Sequence, residues 1–81
     1  MSGDFEDDAA YIHECRDGYA ITVDGKAIRI VTGQEDAERV LYDYLHHHNY
    51  FPNCYYVNER GNVEQFIYHN GNAVYTGKGW V

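Results

Sequence analysis

Three short turn signals divide most of the chain into strand-sized pieces. Asp17-Gly18, Asp24-Gly25 and Asn70-Gly71 each stand between runs that are rich in β-branched or aromatic residues. Asp-Gly and Asn-Gly dipeptides adopt positive φ readily and close two-residue β-hairpins. The sequence therefore predicts several hairpins within an antiparallel sheet, and this restricts the fold more than any other feature of the chain.

The Asp24-Gly25 turn also predicts the register of its hairpin. With these two residues as the turn, one face carries the pairs Val23–Lys26, Ile21–Ile28 and Tyr19–Ile30. That face is largely apolar and the opposite one is mixed, as expected for a ribbon with one buried side. The preceding segment AYIHEC would add a strand to this meander, although a helix is an alternative there.

The segment TGQEDAERVLYDYLHHH changes to a helical period, with apolar residues at three- and four-residue spacing from Ala37 to Leu45. Thr32 and Glu35 have the spacing of a capping box, and Asn49 is the predicted C-cap. We therefore predict one amphipathic helix over about residues 33–48. Its last turn holds three consecutive histidines, 46–48. Consecutive helical residues point about 100° apart, so these three side chains cannot all bind one metal ion. We expect them to form the end of the helix.

The remaining segments, NCYYVN, NVEQFIYH and NAVYTG, predict a second meander, with Gly61 at positive φ in the Glu-Arg-Gly loop. The predicted fold class is α+β: a single antiparallel β-sheet of about five to six strands with one amphipathic helix packed on one face, in the order β-β-(β)-α-β-β-β. Residues 1–9 are predicted to form an acidic N-terminal arm containing Asp4, Glu6, Asp7 and Asp8, and residues 10–81 a single domain.

The last strands leave the orientation of the sheet open. Phe66, Tyr68 and Tyr75 share one face, and Tyr56 joins them if the Glu-Arg-Gly loop closes a three-residue hairpin. One helix can cover only one face. Either the aromatic face is exposed and available to a partner, or it forms the core and the aliphatic residues on the other face meet water.

The charge of the chain points to a basic protein partner. Thirteen acids and six scattered bases give a formal net charge of −7, which disfavours direct nucleic-acid binding. This charge either serves solubility alone or indicates a partner with a basic surface, and a homodimer is also compatible with this composition. The candidate partner-binding residues are Glu35, Asp36, Glu38, Tyr42, Asp43, Tyr56, Glu64, Phe66, Tyr68 and Tyr75.

Motifs for catalysis or cofactor binding are absent from the sequence. No G-x-S-x-G, phosphate-binding loop or paired-carboxylate motif is present, so we expect no enzyme activity and no cofactor. His13, Cys15, His48 and Cys54 could complete a zinc set, but they lack the close ligand pairs of short zinc domains, and we expect no metal. No apolar run is long enough to span a bilayer, which favours a cytoplasmic protein with free thiols.

The chain as a whole resembles the small acidic anti-CRISPR proteins that phages use against host defence. The resemblance lies in its size, in a lone helix, TGQEDAERVLYDYL, over an antiparallel sheet, and in charge that could imitate a nucleic-acid backbone. It implies stoichiometric binding that occludes a basic nucleic-acid site, for example on a CRISPR effector, in the cytoplasm of the host cell. The alternatives are a small housekeeping interaction module that docks through an aromatic sheet face, and a small zinc-binding domain.

Overall fold

A computed structural model describes residues 8–77, which form one helix and a six-stranded sheet. Along the chain these elements are β1 (Ala9–Cys15), β2 (Gly18–Val23), β3 (Lys26–Val31), α1 (Gln34–His48), β4 (Asn53–Val57), β5 (Val63–His69) and β6 (Asn72–Tyr75). The predicted α+β class with a single sheet and one helix is confirmed. The segment before Asp17 is a strand.

The sheet has the order β3-β2-β1-β4-β5-β6, and one of its pairings is parallel. From β3 at the edge, α1 carries the chain back to the end of the sheet where β1 begins. As a result β4 runs beside β1 in the same direction, with Ala9 opposite Asn53 and His13 opposite Val57. The sheet is therefore mixed, and the prediction of a purely antiparallel sheet is wrong for this central pair.

Two of the three turn signals close hairpins as predicted. Asp24 and Gly25 have φ of 53° and 80°, and Asn70 and Gly71 have φ of 54° and 82°. These values suit the primed turns that match the twist of a hairpin. The third signal differs, because the turn between β1 and β2 consists of Arg16 and Asp17, and Gly18 is already the first residue of β2.

A β-bulge in β3 changes the register predicted for the second hairpin. Thr22 pairs with Ala27 but Ile21 pairs with Arg29, so Ile28 has no partner across the ladder. Because one extra residue shifts the alternation, Ile28 and Val31 both pack against the core. Ile30 instead turns to the opposite face, where its side chain is 71% exposed. The predicted pairs Ile21–Ile28 and Tyr19–Ile30 are therefore wrong.

The helix has nearly the predicted bounds, but its first turn is capped differently. Its N-cap is Gly33, which has an extended backbone and no side chain that could cap the helix. The predicted capping box of Thr32 and Glu35 is therefore wrong. The C-cap is Asn49 in the left-handed region (φ 50°), and its N–H donates to the carbonyl of His46. The three histidines are exposed and end the helix, as the sequence predicts.

The helix packs on the aromatic face of the sheet. The buried core consists of Ala10, Ile12, Ile21, Val23, Ala37, Leu41, Leu45, Cys54 and Phe66, and Tyr56, Tyr68 and Tyr75 pack against it. Phe66 is only 1% exposed. The structure thus selects the alternative in which the aromatic residues form the core.

A second buried cluster lies on the opposite face of the sheet. It contains Ala9, Tyr11, Tyr55 and Val57, and the rings of Tyr11 and Tyr55 stack with centroids 5.3 Å apart. The predicted N-terminal arm, residues 1–9, ends inside this cluster, because Ala9 is a fully buried strand residue. The predicted arm residues Asp4, Glu6 and Asp7 lie outside the described part of the chain.

We expect His13 on this second face to make the stability of the fold depend on pH. Burial lowers the pKa of His13, whose Nε2 lies 3.2 Å from the Thr22 hydroxyl. The unfolded chain therefore binds a proton more readily than the folded one. The free energy of unfolding should fall as pH drops from about 6.5 to the lowered folded pKa, by at most about 1.4 kcal/mol per pH unit.

Urea denaturation of the wild type and of His13→Gln at a series of pH values below about 6.5 measures this effect. The substitution should flatten the pH dependence over that window, whereas His69→Gln, at an exposed position of β5, should leave it unchanged. Equal slopes for the wild type and His13→Gln would contradict the assignment.

Candidate functional site

Acidic side chains concentrate at the end of the sheet where α1 begins. The strand register brings the β1–β2 turn, the start of the helix and the β4–β5 loop to this end. We call it the acidic end, and its carboxylate residues are Glu14, Asp17, Glu35, Asp36, Glu38, Glu59 and Glu64. Four of them come from the two loops and their flanking strands, and three from the first half of α1 (residues 35–38).

The acidic end carries an excess of negative charge. Besides its seven carboxylates, it contains three arginines, Arg16, Arg39 and Arg60. Within residues 8–77 one ion pair is formed, between Arg39 and Asp36 at 3.2 Å, and both of these side chains are exposed. Glu35 and Asp36 lie in the first turn of α1, where the positive end of the helix dipole favours negatively charged side chains. The result is a surface that attracts cations.

Glu38 ties this half of the helix to the sheet. The Tyr75 hydroxyl donates to Glu38 Oε2 at 2.6 Å, and Gln34 Nε2 donates to the Tyr75 hydroxyl at 3.1 Å. The Tyr68 hydroxyl donates to the backbone carbonyl of Glu38 at 2.6 Å. Burial, followed by the hydrogen bond to Glu38, raises the pKa of Tyr75. Glu38, Tyr68 and Tyr75 therefore hold the helix in place, and the carboxylate of Glu38 is already engaged.

Tyr56 lies at the centre of the acidic end and is partly exposed. It pairs with Glu64 across β4 and β5, and its ring centroid lies 6.4 Å from that of Tyr19 and 6.0 Å from that of Tyr75. Burial, with a further contribution from the charge of Glu14, raises the pKa of Tyr56 to about 12. Its hydroxyl is protonated at neutral pH, as that of an ordinary tyrosine is, and it can donate a hydrogen bond.

A shallow cavity of about 380 Å³ opens between the two loops of the acidic end. Its lining includes Glu14, Asp17, Tyr19 and Glu59. The N–H of Glu59 donates to Glu14 Oε1 at 3.1 Å, and this bond joins the β4–β5 loop to β1. Asn58 Oδ1 accepts from the N–H groups of Arg60 and Asn62, at 2.9 and 3.0 Å, and this shapes the loop itself. The rim of the cavity is thus ordered before any partner arrives.

The structure brings together five of the residues proposed from the sequence: Glu35, Asp36, Glu38, Tyr56 and Glu64. Tyr42 and Asp43 lie farther along the helix, outside the acidic end. Phe66 is buried beneath the helix, so its proposed contact with a partner is wrong. Tyr68 and Tyr75 lie on that same covered face and bond to the helix, which contradicts their proposed role as an exposed docking face.

Four residues of the acidic end were not predicted: Glu14, Asp17, Tyr19 and Glu59. They come from separate parts of the chain, and the parallel pairing of β1 with β4 is what places Glu14 beside the β4–β5 loop. No local pattern in the sequence signals that pairing.

The residues proposed as a zinc set do not come together. His13 and Cys15 lie on the face of β1 opposite the helix, whereas Cys54 is buried in the core beneath it. Burial raises the pKa of the Cys54 thiol to about 12, as expected for a cysteine packed among apolar side chains. Both cysteines are free, and within residues 8–77 no three potential ligands cluster around a common point.

No protein-family model, curated protein or solved structure matches the chain. In the part of the chain that the structure describes, no helix is long and apolar enough to cross a membrane.

Proposed function

We propose that this protein is a non-enzymatic inhibitor that binds through its acidic end and occludes a basic nucleic-acid-binding site on a larger protein. The observation that carries the proposal is the concentration of seven carboxylates against three arginines at one end of the fold. A field of one sign attracts an oppositely charged surface over several ångströms and raises the rate of encounter. A nucleic acid would be repelled by the same field.

The tyrosines of the acidic end would add short-range contacts once the partner has arrived. Tyr19 and Tyr56 are both partly exposed, and their ring centroids lie 6.4 Å apart. Aromatic faces of this kind attract the side chains of arginine and lysine, which line nucleic-acid-binding channels. The proposed contact therefore combines carboxylates that pair with cations and rings that stack on them.

This mode of action agrees with the resemblance to anti-CRISPR proteins, and a CRISPR effector is the first partner that we propose to test. Binding is stoichiometric and involves no turnover. The alternative of a small subunit that docks through an aromatic sheet face finds less support, because α1 covers that face.

A charge-reversal experiment tests the proposal. Glu35→Lys together with Glu59→Lys removes two exposed carboxylates of the acidic end. The matched control, Asp8→Lys with Asp43→Lys, changes two exposed acids elsewhere and alters the net charge equally. Each variant is used to capture partners from host lysate. Its association and dissociation rates with the purified partner, or with a panel of CRISPR effectors, are then measured by surface plasmon resonance at several salt concentrations.

We expect the Glu35/Glu59 variant to associate about tenfold more slowly than the wild type at low salt, because steering acts on the association rate. Its salt dependence should be flatter, and the control should stay close to the wild type. Nucleic acid should compete with the wild type for the partner. A partner whose contact surface is acidic or neutral, or binding that does not respond to salt, would contradict the proposal.

A further inference from the structure

The sheet ends on each side in a strand that has only one neighbour. Its order places β3 at one edge and β6 at the other, and within residues 8–77 no further strand pairs with either. A strand at an edge presents unpaired N–H and C=O groups, to which a strand of another chain can add. The two edges of this sheet differ in how well they are protected against such pairing.

β3 has the features with which natural sheets prevent pairing at an edge. Its ladder is interrupted by the bulge at Ile28, and it carries two positive charges, Lys26 and Arg29. A bulge disturbs the register with an incoming strand, and the exposed charges would lose hydration beneath it. This edge is therefore a poor site for the addition of a strand.

β6 has none of these features. Its register with β5 is regular from Asn72 to Tyr75. Residues 65–77 contain no aspartate, glutamate, lysine, arginine or proline. The chain as a whole has a formal net charge of −7, so two copies repel each other through most of their surface. The uncharged edge at β6 offers a second copy an approach with little repulsion.

The outward backbone groups of β6 belong to Ala73 and Tyr75. The N–H of Thr76 donates to the carbonyl of Gln65 at 3.0 Å, so the backbone of Thr76 faces β5. Because inward and outward residues alternate along an antiparallel strand, Val74 also faces β5, whereas Ala73 and Tyr75 face away from it. Their two N–H groups and two carbonyls are directed at the open side of the sheet.

The side chains beside this edge are apolar and exposed. Val74 and Ile67 pair across β6 and β5, on the face of the sheet away from the helix. They are 45% and 50% exposed. An exposed apolar pair next to a regular, uncharged edge is the combination that sheets of monomeric proteins avoid. It indicates that a partner strand covers this edge.

We propose that β6 is a dimerisation strand, which pairs in antiparallel direction with β6 of a second copy and joins the two sheets into one. When the pairing is centred on Val74, Ala73 lies opposite Tyr75 of the second copy, and the outward groups form four backbone hydrogen bonds. The two Val74 side chains then meet at a two-fold axis, with Ile67 of each copy beside them. The same surface serves both copies, as a two-fold interface requires.

The position of the acidic end favours the antiparallel direction. β5 leaves the β4–β5 loop at the acidic end, and β6 returns antiparallel to it, so β6 runs towards the acidic end. Antiparallel pairing therefore places the two acidic ends at opposite ends of the dimer, whereas parallel pairing would bring like charges together. Both acidic ends stay accessible in the dimer, so this proposal and the proposed function can fail independently of each other.

Sedimentation velocity of the full-length chain, from about 10 µM to about 1 mM, tests the proposal. The variants Val74→Lys and Val74→Glu each place like charges opposite one another at the two-fold axis. The matched control is Ile30→Lys, which makes the same change at an apolar position of the other edge strand, where Ile30 is 71% exposed. Amide hydrogen exchange of the wild type, followed by NMR at low and high concentration, reports on Ala73 and Tyr75 directly.

We expect the wild type to dimerise with a Kd on the order of 100 µM, because a pairing of short strands buries less surface than a standard interface. Val74→Lys and Val74→Glu should each weaken dimerisation about tenfold, and Ile30→Lys should leave it unchanged. An equal mixture of Val74→Lys and Val74→Glu should dimerise again, since opposite charges then face each other. Exchange at Ala73 and Tyr75 should slow as the concentration of the wild type rises.

A wild type that stays monomeric at the highest concentration would overturn the proposal. Equal weakening by Val74→Lys and Ile30→Lys would place the interface elsewhere, and a mixture of the two Val74 variants that stays monomeric would show that Val74 does not face its own copy. Exchange at Ala73 and Tyr75 that is slow at every concentration would mean that the same chain covers this edge. This last measurement needs no variant, so it decides the matter even if Val74→Lys fails to fold.

Discussion

Replacement of Phe66 by alanine is expected to lower the free energy of unfolding by about 3–5 kcal/mol, the range measured for large buried aromatic residues. Phe66 is among the largest fully buried side chains of the protein. Its ring lies edge-on to Tyr68 at 5.5 Å and tilted to Tyr75 at 5.1 Å, beneath the helix. Its removal leaves a cavity that these neighbours, which are hydrogen-bonded to Glu38, can fill only partly.

The neighbouring residue supplies the control for this measurement. Ile67 points to the opposite face and is half exposed, so Ile67→Ala should cost no more than about 1 kcal/mol. Urea denaturation followed by tryptophan or tyrosine fluorescence gives both values. A small loss for Phe66→Ala, or equal losses for the two variants, would mean that the helix does not cover the aromatic face.

The two faces of the last strands show how far the sequence can lead. Alternation with a period of two correctly assigns Phe66, Tyr68 and Tyr75 to one face and Ile67 and Val74 to the other. It does not say which face meets the helix, because tyrosine suits both environments. In the observed orientation Phe66 is buried and Tyr68 and Tyr75 hydrogen-bond to Glu38, and these contacts join residues far apart in sequence.

Local features of the chain were predicted well. The turns at Asp24-Gly25 and Asn70-Gly71, the helix near residues 33–48 and its C-cap at Asn49 all depend on residues close together in sequence. The bulge at Ile28 was not predicted, because it depends on how β3 packs against a helix that follows it in the chain. The cap at Gly33 was missed for a similar reason, since the chain leaves β3 with an extended backbone there.

The acidic end was predicted only in part. Glu35 and Asp36 follow from the helix pattern, and Glu64 follows from its position beside the aromatic residues of the last strands. Glu14 and Glu59 are 45 positions apart and meet only because β4 pairs in parallel with β1. A parallel pair of strands needs a long crossover connection rather than a tight turn, so no short sequence motif predicts it.

Gly18 provides the most specific test of the sheet itself, because the sequence suggested a turn residue and the structure shows a strand residue. Its φ is +153°, which side-chain-bearing residues rarely adopt, and it begins β2 beside the end of β3. A Cβ at this position would overlap the carbonyl oxygen of Val31 and lie 3.3 Å from the carbonyl carbon. Backbone atoms of a paired strand cannot move aside without disturbing the ladder between Tyr19 and Val31.

We expect Gly18→Ala to lower the free energy of unfolding by at least about 3 kcal/mol, since backbone strain and steric overlap each cost about 1–3 kcal/mol. Gly25→Ala is the matched control: Gly25 also has positive φ, at 80°, but a Cβ there would meet nothing within 4 Å. It should therefore show the strain alone, about 1–2 kcal/mol. Thermal and urea denaturation of both variants separate the two contributions. If Gly18→Ala cost no more than Gly25→Ala, the close approach of β2 to the end of β3, and with it this side of the acidic end, would have to be revised.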